Sequence, residues 1–155
     1  MKTIFVLVSL RSLYNVGSIF RTADALGVEK IYLTGFTGTP KQSKVKKTAL
    51  GAEESVPWEF VKSTSQVIRD LKEQGYEIIG AEKNDESLDI RKWKPSEKSA
   101  ILLGNEERGL SPRIMKLCDK IVHLPMVGIK ESLNVSVTAG AFGYAMLEKN
   151  PSSRL

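Results

Sequence analysis

Short apolar runs alternate with stretches of helical periodicity along the whole 155-residue chain, and this alternation limits the possible folds more than any other feature. The first run, Ile4, Phe5, Val6, Leu7 and Val8, is continuous, as in a strand covered on both faces. Strands are predicted at residues 3–9, 30–34, 58–61, 76–81, 100–103 and 121–124. Helices are predicted at 15–26, 63–74, 111–118 and 132–149. Strands that alternate with helices in this way build an α/β domain. The expected fold is therefore a mainly parallel sheet with helices on both faces.

Local signals support these boundaries. Val16, Ile19, Phe20 and Ala23 recur at helical spacing, and Gly27 then closes that helix. Ser63 or Thr64 can cap the next helix, which Gly75 stops. Pro112 suits the first turn of a short helix. Residues 35–51 read as a Gly/Thr/Lys-rich loop and 84–95 as an irregular link carrying Trp93. No repeat or linker divides the chain, so one domain over 1–155 is expected.

Composition narrows the function classes. The formal net charge of +5 favours an anionic partner, nucleic acid first. Cys118 is the single cysteine, which excludes an intrachain disulfide and a cysteine-based zinc site. No metal is expected. His123, the single histidine, lies where a strand enters a turn and reads as structural or solvent-facing rather than as a general base. The first apolar run is too short for a secretory core, and Arg11 follows it closely. No stretch approaches a membrane span. A soluble, cytoplasmic protein is expected.

An α/β sheet raises the question of a nucleotide site. The junction after the first strand has only Gly17 where a dinucleotide fold needs G-x-G-x-x-G, and no phosphate-binding loop occurs. The purposeful junctions lie later. One runs from Leu103 through Gly104, Glu106 and Gly109 to Ser111; the other runs from Leu124 through Met126 to Asn134. Both follow strand ends, where α/β ligands sit, and Leu103, Leu124 and Met126 could wall an apolar pocket. Ordinary loop and cap chemistry, with Ser132 as an N-cap, explains the same residues equally well.

Three segments together resemble the SpoU/TrmH branch of the SPOUT methyltransferases. They are N-x-G-x-x-x-R-T over 15–22, G-x-E-x-x-G-L over 104–110, and Pro125-Met126 followed by S-L-N-V-S over 132–136. The ordered triple spans nearly the whole chain. The resemblance implies a C-terminal trefoil knot, S-adenosylmethionine as cofactor and 2′-O-methylation of ribose in tRNA or rRNA. It also implies a homodimer that pairs the first and last helices. Arg21 is implied to be catalytic, with Asn15, Glu106, Ser132 and Asn134 around it. Leu103, Gly104, Leu124, Met126, Ser132 and Leu133 are implied to contact the cofactor.

The residues themselves leave alternatives open. Arg21 on a helix's polar side is otherwise a solvated charge, Asn15 an N-cap and Glu106 a solvated carboxylate. The small residues Ser136, Ala139, Gly140, Ala141, Gly143 and Ala145 in the last helix allow close backbone packing, within a monomer or across a dimer. A catalytically inactive RNA-binding module is the competing function, and the intact set of site residues argues against it. Lys41, Lys44, Lys46 and Lys47 fall in a stretch without acidic residues, a candidate surface for RNA phosphates.

Overall fold

Among the described residues, seven strands form one sheet in the order β3-β2-β1-β6-β4-β7-β5, and every ladder between them is parallel. The computed structural model describes residues 1–149. The strands are β1 (Lys2–Val8), β2 (Lys30–Thr34), β3 (Trp58–Val61), β4 (Glu77–Ala81), β5 (Leu88–Asp89), β6 (Lys98–Leu103) and β7 (Lys120–His123). The helices are α1 (Leu13–Ala25), α2 (Ser43–Ala49), α3 (Ala52–Ser55), α4 (Thr64–Glu73), α5 (Pro112–Met115) and α6 (Val135–Glu148). The expected α/β class with a parallel sheet is the observed one. The single-domain expectation reaches over 150–155, which lie outside the described residues.

The continuous run in β1 is buried from Ile4 to Val8 because the strand is central and covered twice. On one face, Val16, Ile19, Phe20 and Ala23 of α1 join Val45 and Ala49 of α2 and Ala139, Phe142 and Met146 of α6 around Phe5, Leu7 and Ile101. On the other face, Val67, Ile68 and Leu71 of α4 close over Ile4, Val6, Ile78 and Leu102, with Ile114 and Met115 of α5 beside them. Helices thus cover both faces, and all strands end on one common carboxyl edge.

The structure corrects several expectations. The first helix begins at Leu13, because Ser12 takes the cap and accepts from the Asn15 N–H at 3.1 Å, so Asn15 is free for other partners. Residues 35–51 are not all loop. Val45 and Ala49 bury the inner face of α2. The Thr48 hydroxyl bonds the Tyr14 carbonyl at 2.8 Å, and a Cβ on Gly17 would meet Thr48 Oγ1 at 2.0 Å. The last helix begins at Val135, capped by Asn134, so Ser132 is not an N-cap. Trp93 is wholly buried against Phe142, its ring centroid 5.8 Å away, and the short β5 lies within the link that carries it. No helix of the described residues is long and apolar enough to cross a membrane, and these residues form no His/Cys/Asp/Glu cluster fit for a metal.

Candidate functional site

The parallel sheet delivers three loops to its carboxyl edge, where ligands of α/β folds bind. They follow β1 at residues 9–12, β6 at 104–111 and β7 at 124–134. The middle loop is shaped by two glycines. A Cβ on Gly104 would lie 2.5 Å from the Gly109 carbonyl carbon and 2.6 Å from the Leu110 nitrogen, so only glycine lets these backbones touch. Gly109 adopts φ +65°, a left-handed conformation, and a side chain there would strike the Glu82 carboxylate. Asn105 braces the turn: its Oδ1 accepts from the Glu107 and Arg108 N–H groups, both at 3.0 Å. Its Nδ2 donates to the Ser9 carbonyl at 2.8 Å.

Glu106 then ties this loop to α1. Its carboxylate accepts from the Arg11 N–H at 2.9 Å, the Ser12 N–H at 3.0 Å and Asn15 Nδ2 at 3.2 Å. Partial burial pushes the carboxyl's pKa up. The donated hydrogen bonds outweigh that effect and hold it below the ordinary carboxylate range. Asn15 passes the connection on, accepting from Asn134 Nδ2 at 3.2 Å through its own Oδ1. Asn134 in turn caps α6, accepting from the Ser136 N–H at 2.8 Å. Glu106, Asn15 and Asn134 are thus one hydrogen-bonded line joining the three motif segments, although 91 and 119 residues separate the partners in sequence.

Beside this line lies a cavity of about 490 Å³ lined by Leu103, Gly104, Glu106, Leu124, Met126, Ser132 and Leu133. Ligand sites commonly occupy about 300–1,000 Å³. Every residue expected to contact the cofactor lines this one space. Asn15 and Asn134 stand outside its lining. Arg21 also stands apart, exposed on α1, and its side chain forms no hydrogen bond or ion pair among the described residues. A single chain does not bring Arg21 to the cavity.

Sequence reasoning missed other lining residues. Glu82, just past β4, accepts from the Leu110 N–H at 3.1 Å and so clamps the far end of the β6 loop. The missed signal was position: β4 neighbours β6, so its carboxyl end had to reach the same edge. His123 lines the cavity as well, with Nδ1 2.9 Å from Ser87 Oγ. The Ser87 hydroxyl donates to the Asn84 carbonyl at 2.7 Å, which assigns the donor role to Nδ1.

The chain is similar in sequence and in fold to known proteins. A protein of Staphylococcus haemolyticus, assigned to the TrmH family of tRNA/rRNA methyltransferases, is 36% identical over 149 residues, 96% of this chain. The chain spans only 59% of that relative's length. The AdoMet-bound rRNA methyltransferase of Sinorhizobium meliloti superposes with a TM-score of 0.89 at 27% identity, covering 97% of this chain and 57% of that one. A solved RNA 2′-O ribose methyltransferase matches with a TM-score of 0.85 at 28% identity over 96% of this chain and 56% of its own. The sequence pattern of the SpoU rRNA Methylase family fits residues 2–144, nearly the whole chain, and the protein belongs to that family.

Proposed function

We propose that this chain transfers a methyl group from S-adenosylmethionine to a ribose 2′-hydroxyl of tRNA or rRNA, in the cytoplasm and as a homodimer. The observation that carries the reading is the Glu106–Asn15–Asn134 line beside the 490 Å³ cavity. The cavity suits the cofactor chemically. Leu103, Leu124, Met126 and Leu133 offer apolar surface to the adenine and the methionine chain. Glu82, Glu106 and Glu131 place carboxylates around a space meant for a cationic ligand. When bound, S-adenosylmethionine supplies an activated methyl group on a sulfonium.

The chain's own contribution is orientation and charge. Positioning a poor nucleophile such as a ribose hydroxyl beside an electrophile supplies much of the acceleration such a reaction needs. Glu106 is a weak base, because its lone pairs are engaged and its carboxyl is held ionised; it fixes the entry to α1 and, through Asn15, the start of α6. The Ser132 hydroxyl, exposed at the cavity rim, is available to the ribose or the cofactor. A guanidinium keeps its proton in proteins, so we assign Arg21 to fork-like binding of an RNA phosphate.

Arg21 reaches the reaction through dimerisation in this reading. Helices α1 and α6 lie side by side, and the Leu26 side chain fills the space a Cβ on Gly143 would take. Their outer face exposes Tyr14, Val137 at 54% and Tyr144 at 61%, and Arg21 on α1 is exposed as well. Pairing this face with a second copy would cover the apolar side chains and present Arg21 to RNA held by the partner. The reading also includes a trefoil knot formed by threading the segment after β7. The return of the chain from β7, second from the edge of the sheet, to place α6 on α1 supports it.

The test is incubation with S-adenosylmethionine and unmodified tRNA and rRNA, followed by nuclease digestion and mass spectrometry. Ribose-methylated nucleosides are the expected product. Base-methylated products alone, or none from either RNA, would refute the proposal.

A further inference from the structure

We infer that a second cleft, at the carboxyl ends of β1, β2 and β6, holds one unstacked nucleotide of the RNA, its base on Phe36 and an adjoining phosphate on Arg108. The inference rests on the RNA methyltransferase reading and deepens it. The cleft measures about 620 Å³ and shares Asn105, Glu107, Arg108 and Gly109 with the cofactor cavity as a common wall. A nucleotide lying there borders the cofactor cavity along these four residues.

The cleft has what a base and a phosphate require. Val8 and Ile114 give it apolar surface, and Phe36 projects beside them with 64% of its surface exposed. The ring is exposed, and the backbone that carries it is anchored on both sides. Gly35 turns with φ +66°, and a Cβ there would lie 2.0 Å from Ser9 Oγ. Thr37 is buried; its hydroxyl donates to the Thr34 carbonyl at 2.7 Å and accepts the Leu10 N–H at 3.0 Å. An aromatic on a fixed backbone has only its side-chain freedom to lose when a base stacks on it. Unstacked RNA bases are recognised on such rings.

Charge supports the same occupant. Arg11 is engaged with Glu107 at 2.8 Å, whereas the Arg108 guanidinium forms no ion pair among the described residues. The floor is preformed. Ser9, a non-glycine residue at φ +52°, is held left-handed by its N–H on the Thr34 carbonyl at 3.1 Å and by Asn105 on its carbonyl. Backbone of this kind persists where surroundings over-determine it, and such positions cluster at binding sites.

Three variants test the cleft: Phe36→Ala, Phe36→Trp and Arg108→Gln. With unmodified RNA and labelled S-adenosylmethionine, Phe36→Ala should lower kcat/KM roughly five- to a hundredfold, the range for loss of one base stack. Cofactor affinity by calorimetry should be unchanged, and Phe36→Trp should restore kcat/KM to near the wild-type value. Fluorescence of the Phe36→Trp protein, corrected for wild type, should be quenched by a short oligoribonucleotide. Arg108→Gln should flatten the salt dependence of RNA binding by a slope of about 0.7. Wild-type kcat/KM in Phe36→Ala, a Phe36→Trp protein no better than it, or an equal loss of cofactor affinity would overturn the inference. If the wild type transfers no methyl group at all, the enzyme reading fails instead, and quenching still decides whether the cleft takes RNA. Absence of quenching would then overturn the cleft as well.

Discussion

Replacing Glu106 by alanine removes the side chain that ties the β6 loop to the backbone N–H groups entering α1 and to Asn15. Three donors lose their acceptor: the N–H groups of Arg11 and Ser12 at 2.9 and 3.0 Å, and Asn15 Nδ2 at 3.2 Å. Hydrogen bonds to an ionised group are worth about 1.5–3 kcal/mol each when shielded. Glu106 is exposed, and water can replace it, so the total is discounted to about 1–2 kcal/mol. For a chain of this size the corresponding fall in Tm is roughly 2–8 °C.

The carboxyl's pKa is depressed in the folded state, and that fixes the sign of the pH effect. Its stabilisation is fully present above the unfolded value of about 4.3 and is lost as pH falls through the lower folded value. Calorimetric melting of wild type and Glu106→Ala at pH 7 and at stepwise lower pH should show the gap closing below about pH 4.3. Glu106→Gln, which keeps one acceptor oxygen, should fall between the two. A gap below roughly 0.5 kcal/mol at pH 7, the usual scatter for exposed substitutions, would refute this account. So would a gap that does not change with pH.

Gly104→Ala drives a Cβ into the backbone of Gly109 and Leu110. It should cost about 1–3 kcal/mol and weaken cofactor binding, read by melting and calorimetry. Arg21→Ala should abolish methyl transfer and leave cofactor affinity unchanged. Co-expressed with Gly104→Ala chains, it should recover roughly a quarter of wild-type activity if Arg21 acts across the dimer, and none if it acts within its own chain. Replacing Lys44, Lys46 and Lys47 on the exposed face of α2 by Gln should flatten the salt dependence of RNA binding, with no effect on the cofactor.

The class and the strand positions were legible because buried parallel strands announce themselves as apolar runs, as Ile4 to Val8 do. Hidden features were those decided by distant partners. Residues 43–49 look like a polar loop because α2 buries only Val45 and Ala49, against a helix that begins 30 residues earlier. The start of α6 was misplaced because Ser132 and Asn134 are both good caps by chemistry. In the fold Asn134 is the cap, and its Nδ2 is engaged by Asn15, 119 residues away. Glu82 was silent for the same reason: nothing near it in sequence marks the Leu110 N–H that it accepts.

The loop from Gly104 to Leu110 is where these distant decisions meet. Its residues form one wall of both cavities, its carboxylate at Glu106 reaches α1, and its last N–H is held by Glu82, just past β4. A loop free to move would leave the relative position of two ligands unset, whereas transfer between them requires that position to be fixed closely. Each of these tethers therefore serves the same end. Glycine at 104 brings the two ends of the loop into contact, Asn105 fixes its turn on Ser9, and Glu106 fixes its outer rim. Loss of any one should lower the rate of transfer more than it lowers the affinity for either ligand, because each ligand touches its own cavity while the reaction depends on both.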